Sequence, residues 1–323
     1  MKLCSGCLGR FLVVLALSSS LLEKKVIAMQ IPPMIKKTAT LILVDREDGT
    51  TKYATGVFVG VKSLKSRDEI FAYFVTAKHA FLAPNAPLPT KATVLLNNKE
   101  GGRTQVTFPV TLDGKNKNIY FHKDPLVDLA VFNVDASAVK YDIVVINDDM
   151  FASKECLTNG SLREGADVFL VGMLGTYWGE ERVLPICRFG KLALAADEKI
   201  PLDGVMRDLY LVEVTSVSGH SGGPVFFFLG PDAVPGELRV GNPTLLLAGI
   251  NVGFINDFQP LFEEVVENGK TSYKVATSSA GNRLVMPANS GIAMVVPAYI
   301  LHEIIFGDEM VAARRAVSTQ EQP

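Results

Sequence analysis

The chain has 323 residues, 48% of them hydrophobic and 20% charged, enough apolar material for one large core or two smaller ones. A formal net charge of -2 carries no excess of either sign, which argues against nucleic acid as a partner. There is no phosphate-binding or dinucleotide glycine fingerprint and no zinc-like His/Cys spacing, so neither cofactor nor metal is expected.

The first 28 residues read as a targeting segment. Lys2 and Arg10 give a positive start, residues 11–22 form an apolar run, and Val26-Ile27-Ala28 offers a cleavage site. The run is short of the roughly 20 apolar residues of a comfortable membrane span. The expectation is an exported chain with no membrane span once the segment is removed. Removal would take four basic residues and one acidic residue with it, making the balance mildly acidic. Cys4 and Cys7 lie inside this segment, which leaves Cys156 and Cys187. A disulfide between those two is open in an exported chain. Sequence alone does not bring their Cα atoms within reach.

Short apolar runs rich in β-formers follow, at 40–44, 56–61, 71–76, 93–96, 129–134, 168–173, 209–214, 225–229, 245–252 and 292–296. Turn residues punctuate them: Asp48-Gly49, Asn97-Asn98, Asp113-Gly114, Asn159-Gly160 and Gly241-Asn242-Pro243. Many short strands at close spacing predict an all-β sandwich or barrel. Polar residues between 139 and 165 suggest a boundary between two β halves, 35–150 and 151–306. Pro297 opens a short helix that Gly307 ends; 307–323 is a tail, of which 311–323 reads as polar and frayed.

Three strings carry candidate chemistry. In Ser218-Gly219-His220-Ser221-Gly222-Gly223-Pro224 a serine sits between glycines, between two strand-like runs. A serine hydroxyl attacks only if a base takes its proton, and its product oxyanion needs backbone N–H donors. Flanking glycines let the chain turn tightly and present them. The alternative for this string alone is a simple Gly/Ser turn between strands; the functional reading is the better supported. In VTAKHA, His79 follows an apolar strand; in DPLVDLAVF, Asp128 enters one, where a carboxylate needs hydrogen-bond donors. Either residue alone would read as structural. Together they stand in the order His, Asp, Ser, one of the orders known for a catalytic triad.

These strings resemble the T-A-x-H, D-[LI]-A-[VL] and G-x-S-G-G-P segments of chymotrypsin-fold serine proteases. LAGIN at 247–251 and SGIAMVVP at 290–297 resemble the bacterial HtrA-like branch, here without a PDZ domain. The resemblance implies two antiparallel Greek-key β-barrels, all-β apart from the short C-terminal helix. It implies His79 as base, Asp128 as its orienting acid, Ser221 as nucleophile, and the amides of Gly219 and Ser221 as the oxyanion hole. It implies an S1 pocket walled by Thr215 to Ser218, Val252 to Phe254 and Gly291 to Ala293, with Thr215, Ser218, Val252, Phe254 and Ala293 as lining residues. None of these is charged, so the expected P1 side chain is uncharged. Asn251 stands where glutamate-specific relatives carry a histidine.

The partner implied is a protein or peptide substrate. No activation terminus of the Ile-Val-Gly-Gly kind is present. His220 occupies a place that usually holds Asp or Asn, and is read as structural. His122 and His302 read as loop and surface residues. The competing readings are a protease fold that binds without turnover, and an esterase or acyl transferase on another fold. The last would use the order Ser, Asp, His.

Overall fold

A computed structural model describes residues 30–63, 70–82, 87–114, 116–133, 139–158, 162–195, 198–202, 204–229, 244–267 and 270–320. The expected targeting segment lies outside them. The described residues from 33 onward form one compact unit.

The first set of strands is β1 (Ala39–Asp45), β2 (Thr51–Lys62), β3 (Ile70–Ala77), β4 (Lys91–Asn97), β5 (Arg103–Pro109), β6 (Ile119–Phe121), β7 (Leu129–Asn133) and β8 (Ile146–Asn147). They form one sheet in the order β5-β4-β1-β2-β3-β7-β6, with β8 on β2. Strand β1 shows why its apolar run is unbroken. Ile42 and Val44 face a core with Phe58, Phe74 and Phe132. Leu41, of opposite parity, packs with Leu95, Met173 and Val183 against the second sheet. Burial on both faces removes the usual polar alternation.

The second set is a short α1 (Glu155–Thr158), then β9 (Asp167–Gly172), β10 (Ile186–Ala195), β11 (Ile200–Leu202), β12 (Val205–Arg207), β13 (Tyr210–Glu213), β14 (Pro224–Leu229), β15 (Thr244–Pro260), β16 (Phe262–Glu267), β17 (Lys270–Val275) and β18 (Val285–Pro297). Six of them close into a barrel in the order β10-β13-β18-β15-β14-β9. Its core holds Val168, Leu170, Leu192, Val212, Val225, Phe227 and Val295.

The two sheets share one connectivity. In the first, β4 returns to β1 and β7 joins β3. In the second, β14 returns to β9 and β18 joins β13. Non-sequential neighbours of this kind are Greek-key connections. The second unit closes and the first stays an open, rolled sheet among the described residues. The expected all-β architecture is therefore present, with one full barrel.

Two expectations are corrected. Residues 308–320 are helical where a frayed tail is expected: α2 (Ala298–Ile305) is followed by α3 (Asp308–Gln320). Asp308 and Glu309 suit the positive end of α3, and Met310 is buried. Arg314 donates to Ile305 O at 2.8 Å and to Tyr73 OH at 3.0 Å. One long side chain thus anchors a helix whose polarity hides it from an apolar-period reading.

Cys156 and Cys187 are free thiols. Cys187 pairs with Val171, out of phase with Val168 and Leu170, which point into the barrel. Cys156 packs on the barrel-core cluster, so the two cysteines address opposite faces of the sheet. Burial pushes the Cys187 thiol above its usual value.

Candidate active site

His79 lies in a single 3-10 turn, Lys78–Ala80, at the end of β3, and Asp128 directly precedes β7. Strands β3 and β7 pair with Ala77 opposite Leu129, which brings the two residues side by side. The Asp128 carboxylate accepts from His79 N–H at 2.8 Å through Oδ1 and meets His79 Nδ1 at 2.6 Å through Oδ2. A carboxylate on Nδ1 leaves Nε2 as the nitrogen able to take a proton. Lys78 secures the same loop: its N–H donates to Asp128 O at 3.2 Å and its Nζ to Pro125 O at 2.6 Å. Burial pulls the Lys78 ammonium below its usual value. A recess of about 130 Å³ opens beside Asp128, lined by Val127 of the loop before β7 and by Val252, Met294 and Val296 of the barrel.

Ser221 sits in the loop before β14. Every carbonyl from 218 to 221 is tied. Ser218 O accepts from Gly175 N at 3.0 Å, and Ser221 O from Thr55 N at 2.8 Å. Gly219 O accepts from Thr55 Oγ1 at 2.6 Å. His220 O accepts from Asn251 Nδ2 at 3.0 Å and from Gly223 N at 2.9 Å. The amides of Val217, His220, Gly222 and Gly223 are likewise spent inside the chain. Those of Gly219 and Ser221 meet no acceptor among the described residues.

Because a trans peptide points its N–H opposite to its C=O, a tied carbonyl fixes the next amide. Holding Ser218 O aims Gly219 N–H, and holding His220 O aims Ser221 N–H. The two candidate oxyanion donors are free and already oriented, which is what preorganised charge stabilisation requires. The glycines make this possible. Gly219 has φ +97°, and Gly222 has φ +86° with no room for a side chain, since a Cβ there would lie 2.0 Å from Thr55 O.

The same contact places the nucleophile loop against the end of β3. A Cβ on Gly222 would also meet Thr76 Oγ1 at 2.3 Å and Ala77 N at 3.0 Å, two residues short of His79. The loop that carries Ser221 thus packs against the end of the strand that leads into His79. The Ser221 hydroxyl makes no hydrogen bond to His79 among the described residues, and the imidazole side chain is 47% exposed. Catalytic hydrogen bonds of this kind commonly close only around substrate.

Two residues that sequence reasoning did not assign hold this loop. Thr55, fully buried in β2, donates to Gly219 O, accepts from Met173 N at 2.8 Å through its hydroxyl, and accepts from Thr76 Oγ1 at 2.6 Å through its carbonyl. Asn251, also fully buried, donates to Ser216 Oγ at 3.0 Å as well as to His220 O. The available signal was a polar residue inside an apolar strand, which is costly unless it is bonded. Thr55→Val keeps the shape and removes two buried partners. It is expected to cost about 2 kcal/mol, read by equilibrium denaturation. An unchanged midpoint would exclude Thr55 from the clamp.

The expected S1 segments are adjacent. Phe254 pairs with Ala293 and Ala293 with Val212, while the Asn289 amide binds Ser216 O. Thr215 and Ser218 are exposed, and Val252 is largely buried. Ala293 is fully buried, among the side chains of the barrel core. The reason is its parity on β18, shared with Val295.

His220 is fully buried, as its structural reading requires. Desolvation first, then the Arg188 charge, push its pKa down to about 4. His122 meets Glu303 at 3.1 Å and accepts from Asp124 N–H at 3.0 Å, and His302 stacks on Phe306. No group of three His, Cys, Asp or Glu side chains able to hold a metal occurs among the described residues.

No family model matches the sequence, and no curated protein matches it. Solved structures similar to it include the protease domain of MamO from Magnetospirillum magneticum, at 15% identity and TM-score 0.42, covering 84% of this chain and 97% of that one. Another is the protease Anisep from Arthrobacter nicotinovorans, at 12% identity and TM-score 0.45, covering 83% and 94%. A third is human heparin binding protein, at 11% identity and TM-score 0.42, covering 85% and 92%. On its own strand order and the placement of its three motifs, the chain has the chymotrypsin-like fold.

Proposed function

We propose that the protein is a serine endopeptidase. The observation that carries this reading is the pairing of two features across one junction. One is a carboxylate–imidazole pair with Nε2 left to accept a proton. The other is a serine whose loop presents two free, pre-aimed amides. His79 would take the Ser221 proton as the hydroxyl attacks a peptide carbonyl. The oxyanion would rest on the Gly219 and Ser221 amides. Asp128 would hold the ring and its developing charge, and His79 would then protonate the leaving amine. Water repeats the sequence on the acyl-enzyme.

The substrate class is protein or peptide. The uncharged segments around Thr215, Val252 and Gly291 favour an uncharged P1 side chain. The N-terminal pattern of residues 1–28 supports export. No helix of the described residues is long and apolar enough to cross a membrane.

A second reading, binding without turnover, is favoured by one observation: Ser221 and His79 are not hydrogen-bonded in this structure. A fluorophosphonate probe separates the two. The peptidase reading expects covalent labelling at Ser221 together with cleavage of a mixed peptide library. No labelling and no cleavage would leave the binding reading.

A further inference from the structure

His220 closes the turn that carries Ser221. Its backbone N–H donates to Val217 O at 3.0 Å, and its ring Nδ1 accepts from Val217 N–H at 3.2 Å. The ring and main chain of one residue thus engage both polar groups of another, three positions upstream. A ring nitrogen that accepts has no proton, so the neutral imidazole carries its proton on Nε2. Nε2 is buried and has no hydrogen-bond partner among the described residues. The ring packs against Gly172 of β9, where a Cβ would come within 2.9 Å of Cδ2. The charged group acting on it is Arg188 of β10, a cation that opposes a second proton on the ring. Gly172 and Arg188 both belong to the barrel wall, on β9 and β10.

We infer that His220 is the positioning residue of the oxyanion loop: its neutral ring, held by Gly172 and Val217, fixes the turn so that the Gly219 and Ser221 amides stay free. The inference rests on the peptidase reading and adds to it a device for assembling the hole from within the loop. The usual carboxylate at this place has a different chemistry. An anion seeks a cation or several donors to neutralise it. A neutral imidazole needs one N–H, which Val217 supplies locally. At this place the loop is therefore held by a neutral hydrogen bond and not by an ion pair.

The test has two arms on the full chain. In the first, histidine ¹⁵N NMR follows the ring, with assignment by the signal lost in His220→Asn. The expected result is a neutral ring protonated on Nε2, unchanged from pH 8 to pH 5.5. A ring protonated on Nδ1, or one that titrates across that range, overturns the inference. In the second arm, fluorophosphonate labelling is timed beside thermal unfolding. His220→Ala is expected to label about a hundredfold more slowly, in line with the loss of an aligned oxyanion donor. His220→Asn, whose side-chain oxygen can accept from Val217 N–H, is expected to recover most of that loss. Equal rates in wild type and His220→Ala overturn the inference. If the wild-type chain does not label at all, the peptidase reading fails, and the NMR arm alone decides whether His220 holds the loop.

Discussion

Ser221→Ala is expected to lower peptide turnover by about five to six orders of magnitude while leaving the unfolding midpoint nearly unchanged. The two halves of this result have separate causes. The members of a triad act as a unit, so removing the nucleophile costs nearly the whole covalent route. Stability is spared because the Ser221 side chain ties nothing down. The loop is held through its carbonyls, by Gly175, Thr55 and Asn251, and an alanine leaves all of those bonds in place. Turnover of a mixed peptide library, measured on both chains purified side by side, checks the first half. Thermal unfolding checks the second. Equal turnover in the two chains would remove Ser221 from the chemistry. A large fall in the midpoint would show that the hydroxyl supports the loop, against the hydrogen bonds described here.

What the sequence made legible was local. His79, Asp128 and Ser221 each sit where a strand begins or ends, and their order and flanking residues are enough to pair them on paper. The strands β1, β3, β7, β9 and β14 were visible because their apolar runs are nearly continuous. Other parts depend on partners far along the chain. Thr55 belongs to the first sheet, yet its hydrogen bonds go to Gly219 and Ser221, more than 160 residues away. Nothing beside it in the sequence announces that role. Asn251 was read only as a specificity marker. Its buried amide instead holds the carbonyl that orients Ser221 N–H. Strand β10 was missed because its exposed Phe189 and Lys191 blur the alternation. The hairpin β16–β17 was missed for a related reason. It sets Glu263 opposite Lys274 and Glu267 opposite Lys270, so one face is charged and supplies no apolar period. The cysteines show the same limit in reverse. Both are in the sequence, but only the strand parity of Cys187 reveals that it faces away from Cys156.

The buried histidine also predicts how the fold responds to acid. Its pKa falls from 6.5 to about 4 on folding, because the ring loses water and lies near Arg188. Between those values the unfolded chain binds a proton that the native chain refuses. Stability therefore rises with pH across this window and is lost as pH drops through it. The full shift corresponds to roughly 3 kcal/mol, and most of it is spent by pH 4.5. Carboxylates elsewhere begin to titrate in the same range, so the measured quantity is a difference between two chains. Urea denaturation of wild type and His220→Asn at pH 7 and pH 4.5 isolates it. The wild type is expected to lose about 2–3 kcal/mol more than the variant on acidification. Asparagine keeps a side-chain acceptor for Val217 N–H and has no proton to gain, so its own fall reports the other groups. Equal losses would mean that the native ring takes up its proton as readily as the unfolded one. That result would contradict a ring shut off from water, and with it the physical basis for a neutral acceptor inside the nucleophile loop.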